Sequence, residues 1–112
     1  MVSEYFFKAE GCHITELSNN EEDPDVSIAQ ARVEPGITTQ WHKLAKTTER
    51  YCILSGHGIV EVDNKPPSRV SKGDVVIIKP MERQRITNNG KEDLIFLAIC
   101  SPRFQISNYQ QV

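Results

Sequence analysis

Several features that would point to a particular function are scarce in this sequence of 112 residues. It has only three cysteines, Cys12, Cys52 and Cys100, widely spaced and with no CxxC pair among them. An odd count argues against a disulfide framework, and the spacing argues against a thiolate zinc site. Free thiols buried as small hydrophobes in a reducing compartment are expected instead. Charge of one sign is also lacking: 13 Lys+Arg stand against 15 Asp+Glu, a net charge of -2. This argues against a nucleic-acid binder working through bulk positive charge. The longest apolar runs, such as Val75 to Ile78 and Leu94 to Cys100, fall far short of a bilayer span. The segment from Met1 to Glu10 carries Glu4 and has no apolar core of a signal peptide, so a cytoplasmic protein is expected. Hydrophobic content is low, at 38%, and the core must be assembled from short runs.

What is present reads as strand and turn almost throughout. Strands are expected over Val26 to Val33, Thr38 to Leu44, Glu49 to Leu54, Gly58 to Val62, Val75 to Ile78, Gln84 to Thr87 and Asp93 to Cys100. Between them stand turn signals: Pro35-Gly36, Ser55-Gly56-His57-Gly58, Lys72-Gly73-Asp74, and Asn88-Asn89-Gly90, the last read as a hairpin. Pro66 and Pro67 bar a helix where they lie. The one helical piece expected is a short turn near one end. Many short strands at regular spacing predict an all-β sandwich or barrel of a single domain, 1–112, with its core over about 26–100. The acidic loop from Asn19 to Asp25 has no calcium-loop spacing and is expected to be solvated.

One stretch is far more specific than the rest. Gly36, five residues, His42, one residue, Leu44, four residues, Glu49, six residues and Gly56 resemble the first signature of the cupin superfamily, Gly-x5-His-x-His-x3-4-Glu-x6-Gly. Leu44 stands where the family has its second histidine. A second stretch, opened by Gly73, resembles the second signature, Gly-x5-Pro-x-Gly-x2-His-x3-Asn, with Gln84 and Asn88 at the His and Asn positions. Lys79 and Met81 replace that signature's Pro and Gly. Thr48-Glu49-Arg50-Tyr51, Gln84 to Asn88 and Cys100-Ser101-Pro102-Arg103-Phe104 resemble the small single-domain cupins of the mannose-6-phosphate isomerase-like group.

The resemblance implies a double-stranded β-helix, the cupin jelly-roll barrel, with a divalent transition metal (Mn, Fe, Ni or Zn) held inside it. Carried over residue by residue, it gives His42 and Glu49 as ligands and Gln84 as a weaker third. Alternation on a strand supports the grouping independently: Gln40, His42 and Leu44 share a face, as do Glu49 and Tyr51, and Gln84 points in when Arg85 points out. Gln40, Leu44 and Tyr51 are the expected pocket residues. One imidazole, one carboxylate and one amide oxygen form a poorer donor set than the family's own. The expected function is a small metal-binding cupin that binds or transforms a small polar molecule, a sugar or carboxylic acid. Two alternatives stand beside it. One is a non-catalytic ligand-binding barrel with a degenerate metal site. The other is a metal-free sugar epimerase- or isomerase-like enzyme, with His42 as base and Tyr51 as acid. A homodimer is expected, with Trp41, Cys52 and Leu54 as candidate interface residues.

Overall fold

A computed structural model describes residues 3–112; Met1 and Val2, the start of the segment read above as lacking a leader, lie outside the described residues. The strands are β1 Tyr5–Phe7, β2 Cys12–Ser18, β3 Ser27–Val33, β4 His42–Leu44, β5 Thr48–Ser55, β6 His57–Val62, β7 Ser68–Ser71, β8 Val75–Ile78, β9 Gln84–Thr87, β10 Leu94–Ser101 and β11 Tyr109–Gln111. A 3-10 turn, Ile106–Asn108, precedes β11. The strands form a six-stranded sheet, ordered β1-β2-β3-β10-β5-β8, and a five-stranded sheet, ordered β11-β4-β9-β6-β7. Every pairing is antiparallel. The two sheets enclose one core, and this is the all-β double-stranded β-helix. Among the described residues, no helix is long and apolar enough to cross a membrane.

Alternation decides what each strand buries. On β5, Glu49, Tyr51 and Ile53 are buried, whereas Arg50 and Cys52 are half-buried and Leu54 is exposed. On β9, Gln84 and Ile86 turn inward, and Asn88 just beyond the strand is buried on the same side. Arg85 turns outward, where its Nε donates to Glu61 Oε1 at 2.8 Å. The Cys12 and Cys100 thiols are buried and Cys52 is half-buried; all three are free.

The turns mostly carry the chain from one sheet to the other. The Asn88-Asn89-Gly90 segment was expected to close a hairpin, but β9 pairs with β4 and β6, whereas β10 pairs with β3 and β5. The segment is a corner between sheets. Asn88 locks it: Nδ2 donates to the carbonyls of Val33 and Glu92, both at 2.8 Å, and Oδ1 accepts from Gly90 N at 2.9 Å. Gly56 serves the corresponding corner between β5 and β6. Its φ is +88°, and a Cβ there would lie 2.6 Å from the Asp93 carbonyl oxygen, so only glycine fits.

Four strands carried too little pattern to be expected. β7 is an exposed edge strand directly after Pro66-Pro67, and β11 is mostly polar. β1 and β2 extend the six-stranded sheet at the end opposite β8, and the β1–β2 turn carries Glu10 toward the barrel interior. The acidic loop is exposed from Asn20 to Asp25. Its first residue, Asn19, is held, donating from Nδ2 to the Phe104 carbonyl at 3.0 Å.

Candidate functional site

The inner face of the six-stranded sheet leaves a cavity of about 230 Å³. Its space comes from short side chains. Ser27, Ala29 and Ala31 on β3 and Ala98 on β10 line it where longer residues would fill the interior. Glu49, Tyr51, Phe96 and Cys100 line it from β5 and β10. Phe104 and Ile106, from the segment after β10, also contribute.

Glu49 is the distinctive group. It is only 8% exposed, and its Oε1 has no hydrogen-bond partner among the described residues. The Cys100 thiol, opposite it in register, donates to Oε2 at 3.8 Å. Burial pushes the Glu49 carboxyl up to about 7, and the negative charge of Glu10 adds to the rise. His42 and the side chains of Gln84 and Cys100 oppose it. Gln84 Nε2 is itself buried without a completed hydrogen bond.

Tyr51 stacks at a tilt on Phe96, with ring centroids 4.5 Å apart, and its hydroxyl donates to Gln84 Oε1. Burial, then the charges of Glu49 and Glu10, hold the Tyr51 phenol well above its ordinary range, so it stays a neutral donor.

His42 faces Gln84 in register across β4 and β9. Its Nδ1–H donates to the Gln40 carbonyl at 2.9 Å, and its Nε2 lies 3.1 Å from Glu10 Oε1. The ring also stacks on Tyr109 at 5.2 Å. Its side chain is 2% exposed and does not line the cavity; Glu10, which does, stands next to it.

The structure thus draws Glu49, Gln84 and Tyr51 into one cluster, with His42 beside it. Leu44 is buried on the same strand face as His42 and contributes hydrocarbon only. Gln40 departs from expectation. β4 begins only at His42, the Gln40 side chain is exposed, and the backbone carbonyl alone reaches the site. Glu10 joins the site from outside the sequence patterns. It lies in a turn far from both signatures, and no local spacing marks it.

These residues do not fit the divalent metal that the family resemblance implies. His42 Nε2 is turned to Glu10, Gln84 Oε1 is occupied by the Tyr51 hydroxyl, and position 44 offers no donor. Among the described residues, no three His, Cys, Asp or Glu side chains gather into a metal-holding group. The expected ligand set of His42, Glu49 and Gln84 is a hydrogen-bonding neighbourhood rather than a coordination sphere.

The cupin domain, as a family, matches residues 29–100. The chain is a cupin. Both signatures lie inside the matched region, whereas Glu10 and Tyr109 lie outside it. An uncharacterized protein of Methanocaldococcus jannaschii is 36% identical over 78 residues, which are 70% of this chain and 62% of that protein. The match therefore spans less than two thirds of that relative's length. Among solved structures, a double-stranded β-helix protein of Klebsiella pneumoniae superposes with a TM-score of 0.79 at 18% identity, over 90% of this cupin and 84% of that chain. Pac13 of Streptomyces, a nucleoside dehydratase, superposes with a TM-score of 0.81 at 17% identity, over 99% and 84% of the two chains. Tyrosine-to-phenylalanine and histidine-to-glutamine variants of Pac13 have been solved with uridine. At these identities the likeness concerns the fold.

Proposed function

We propose that this cupin binds a small polar molecule in the barrel cavity and moves a proton on it without a metal. Glu49 takes the proton and returns it to a neighbouring atom of the same molecule, an isomerisation that needs no co-reactant. The observation that carries this reading is the buried, unpartnered Oε1 of Glu49 in the wall of the cavity. A carboxyl pushed up to about 7 is matched to accepting and releasing protons near neutrality. Tyr51 contacts the ligand from the same strand face. His42 is a positioning residue that holds Glu10, rather than the base itself. The cavity is smaller than the ~300–1,000 Å³ of drug-sized pockets, which suits a small molecule. The fold shared with a nucleoside dehydratase supports a small hydroxylated ligand.

The test is proton exchange. Chelator-treated protein is incubated in D2O with sugars, nucleosides and small hydroxy-ketones, and loss of C–H signals is followed by NMR. Exchange should survive the chelator and fall by about 10²-fold or more in Glu49→Gln. Exchange lost with the chelator, or unchanged in Glu49→Gln, overturns the reading. A ligand that binds with no exchange marks a non-catalytic barrel.

We also propose the homodimer, through the outer face of the six-stranded sheet. Val75 and Ile77 on its edge strand β8 are 58% and 57% exposed, and Cys52 is the register partner of Val75. Trp41 belongs elsewhere: it lies under Arg83 and Arg85, at 5.2 and 4.5 Å, beside the five-stranded sheet. One flat interface cannot take Trp41 together with Cys52 and Leu54.

A further inference from the structure

The charge lining the cavity is one-sided. Glu10, Glu16 and Glu49 contribute carboxyl groups to it, and its described lining contains no Lys, Arg or His. Glu10 has His42 as a partner. Glu16, which is exposed, enters no ion pair among the described residues, and Glu49 keeps Oε1 unpartnered although more than nine-tenths buried. Arg103, beside the lining residue Phe104, donates instead to Asn19 Oδ1 at 2.9 Å. The rings of Phe7, Tyr51, Phe96 and Phe104 also line the cavity.

We infer that the cavity takes a cationic amine and turns away anionic ligands, with Glu16 at its rim and Glu49 in its interior selecting that charge. This rests on the reading that the cavity is the ligand site. An ammonium group supplies what the site lacks. Its N–H donors satisfy the orphaned carboxylate oxygen, and its charge offsets carboxylates that have no cationic partner in the wall. The aromatic faces attract a cation through their quadrupoles and also accept the apolar part of the ligand. A phosphorylated sugar or a carboxylic acid would meet Glu16 and ionised Glu49 with no Lys, Arg or His in the described lining to offset them, so the carboxylic acids included in the expected ligand class are disfavoured.

The test uses three probes of nearly one shape: benzylamine, benzyl alcohol and benzoate, titrated calorimetrically into the full chain at low salt and about pH 8, where the Glu49 carboxyl is ionised and the amine is still a cation. Benzylamine should bind about 10-fold or more tightly than benzyl alcohol, with benzoate weakest. Glu49→Gln and the exposed Glu16→Gln should each lower the amine-to-alcohol ratio several-fold. Equal binding of amine and alcohol, preference for benzoate, a ratio unchanged in both variants, or no binding of any probe overturns the inference. Its failure is distinct from that of the acid–base reading. Proton exchange on a neutral ligand without amine preference removes the charge assignment alone, and amine preference without exchange removes the chemistry alone.

Discussion

Glu10 Oε1 stands 3.1 Å from His42 Nε2, and this contact ties the N-terminal turn to the five-stranded sheet. The backbone reinforces it, since Gln40 N donates to the Glu10 carbonyl at 2.9 Å. Through Glu10, the histidine that a metal-binding cupin would use as a ligand becomes a support for a carboxylate in the cavity wall. The Cys12 thiol donates to the other oxygen, Oε2, at 3.3 Å. Glu10 and Glu49 then face one cavity, and the negative charge of the first raises the carboxyl of the second.

That rise links stability to pH. Glu49 goes from its ordinary 4.5 to about 7 on folding. The folded state therefore binds the proton more tightly. Its contribution is fully present below about 4.5 and is lost as pH rises through about 7. At ~1.4 kcal/mol per pKa unit, the loss is about 3 kcal/mol. Glu49→Gln cannot ionise, so its stability relative to wild type should grow by that amount between pH 4.5 and pH 8. Urea midpoints across the range check this, and a constant difference would refute it.

Two of the obstacles to a metal centre lie at positions 44 and 84. Leu44 shares a buried strand face with His42, and Gln84 is the register partner of His42. Leu44→His combined with Gln84→His should raise Ni2+ affinity by about 100-fold or more, read by calorimetry. Wild-type protein that already binds Ni2+ as tightly as the double variant would show that the donor set has been misjudged.

How much of this was legible in the residues depended on whether the signal was local. Val75–Ile78 and Gln84–Thr87 match the expected strands end for end, because turn residues stand close beside them. The inward turn of Gln84 followed from counting between Gly73 and Asn88. Local pattern could not say that Asn88-Asn89-Gly90 crosses between sheets, because a hairpin and a corner use the same residue types. Gln40 falls inside a strand expected from Thr38, whereas β4 starts only at His42. Glu10 and β11 reach the site and the sheet edge through tertiary contacts alone, and their sequence carries no mark of it.

The cavity exists because Ala98 and Ala29 are small. Ala98→Leu should fill it, weakening any bound ligand by about 10-fold or more while changing stability by less than ~1.5 kcal/mol, since the added carbons enter empty space. Ligand titration beside thermal unfolding checks both parts. Unchanged affinity would place the ligand elsewhere.

Charge on the exposed edge of the six-stranded sheet tests the dimer. Ile77→Arg puts a cation opposite Arg50, its register partner, on the outer face. The variant should elute as a folded monomer, with light scattering giving half the wild-type mass. A wild-type monomer, or a variant that remains dimeric, would rule this interface out.

The most direct test of the account is the titration of Glu49 itself, followed by carbon-13 NMR of protein labelled at the glutamate carboxyl and assigned by comparison with Glu49→Gln. The expected midpoint is about 7, moving down in Glu10→Gln as the neighbouring negative charge is removed. A midpoint at the ordinary 4.5, unmoved by Glu10→Gln, would contradict it.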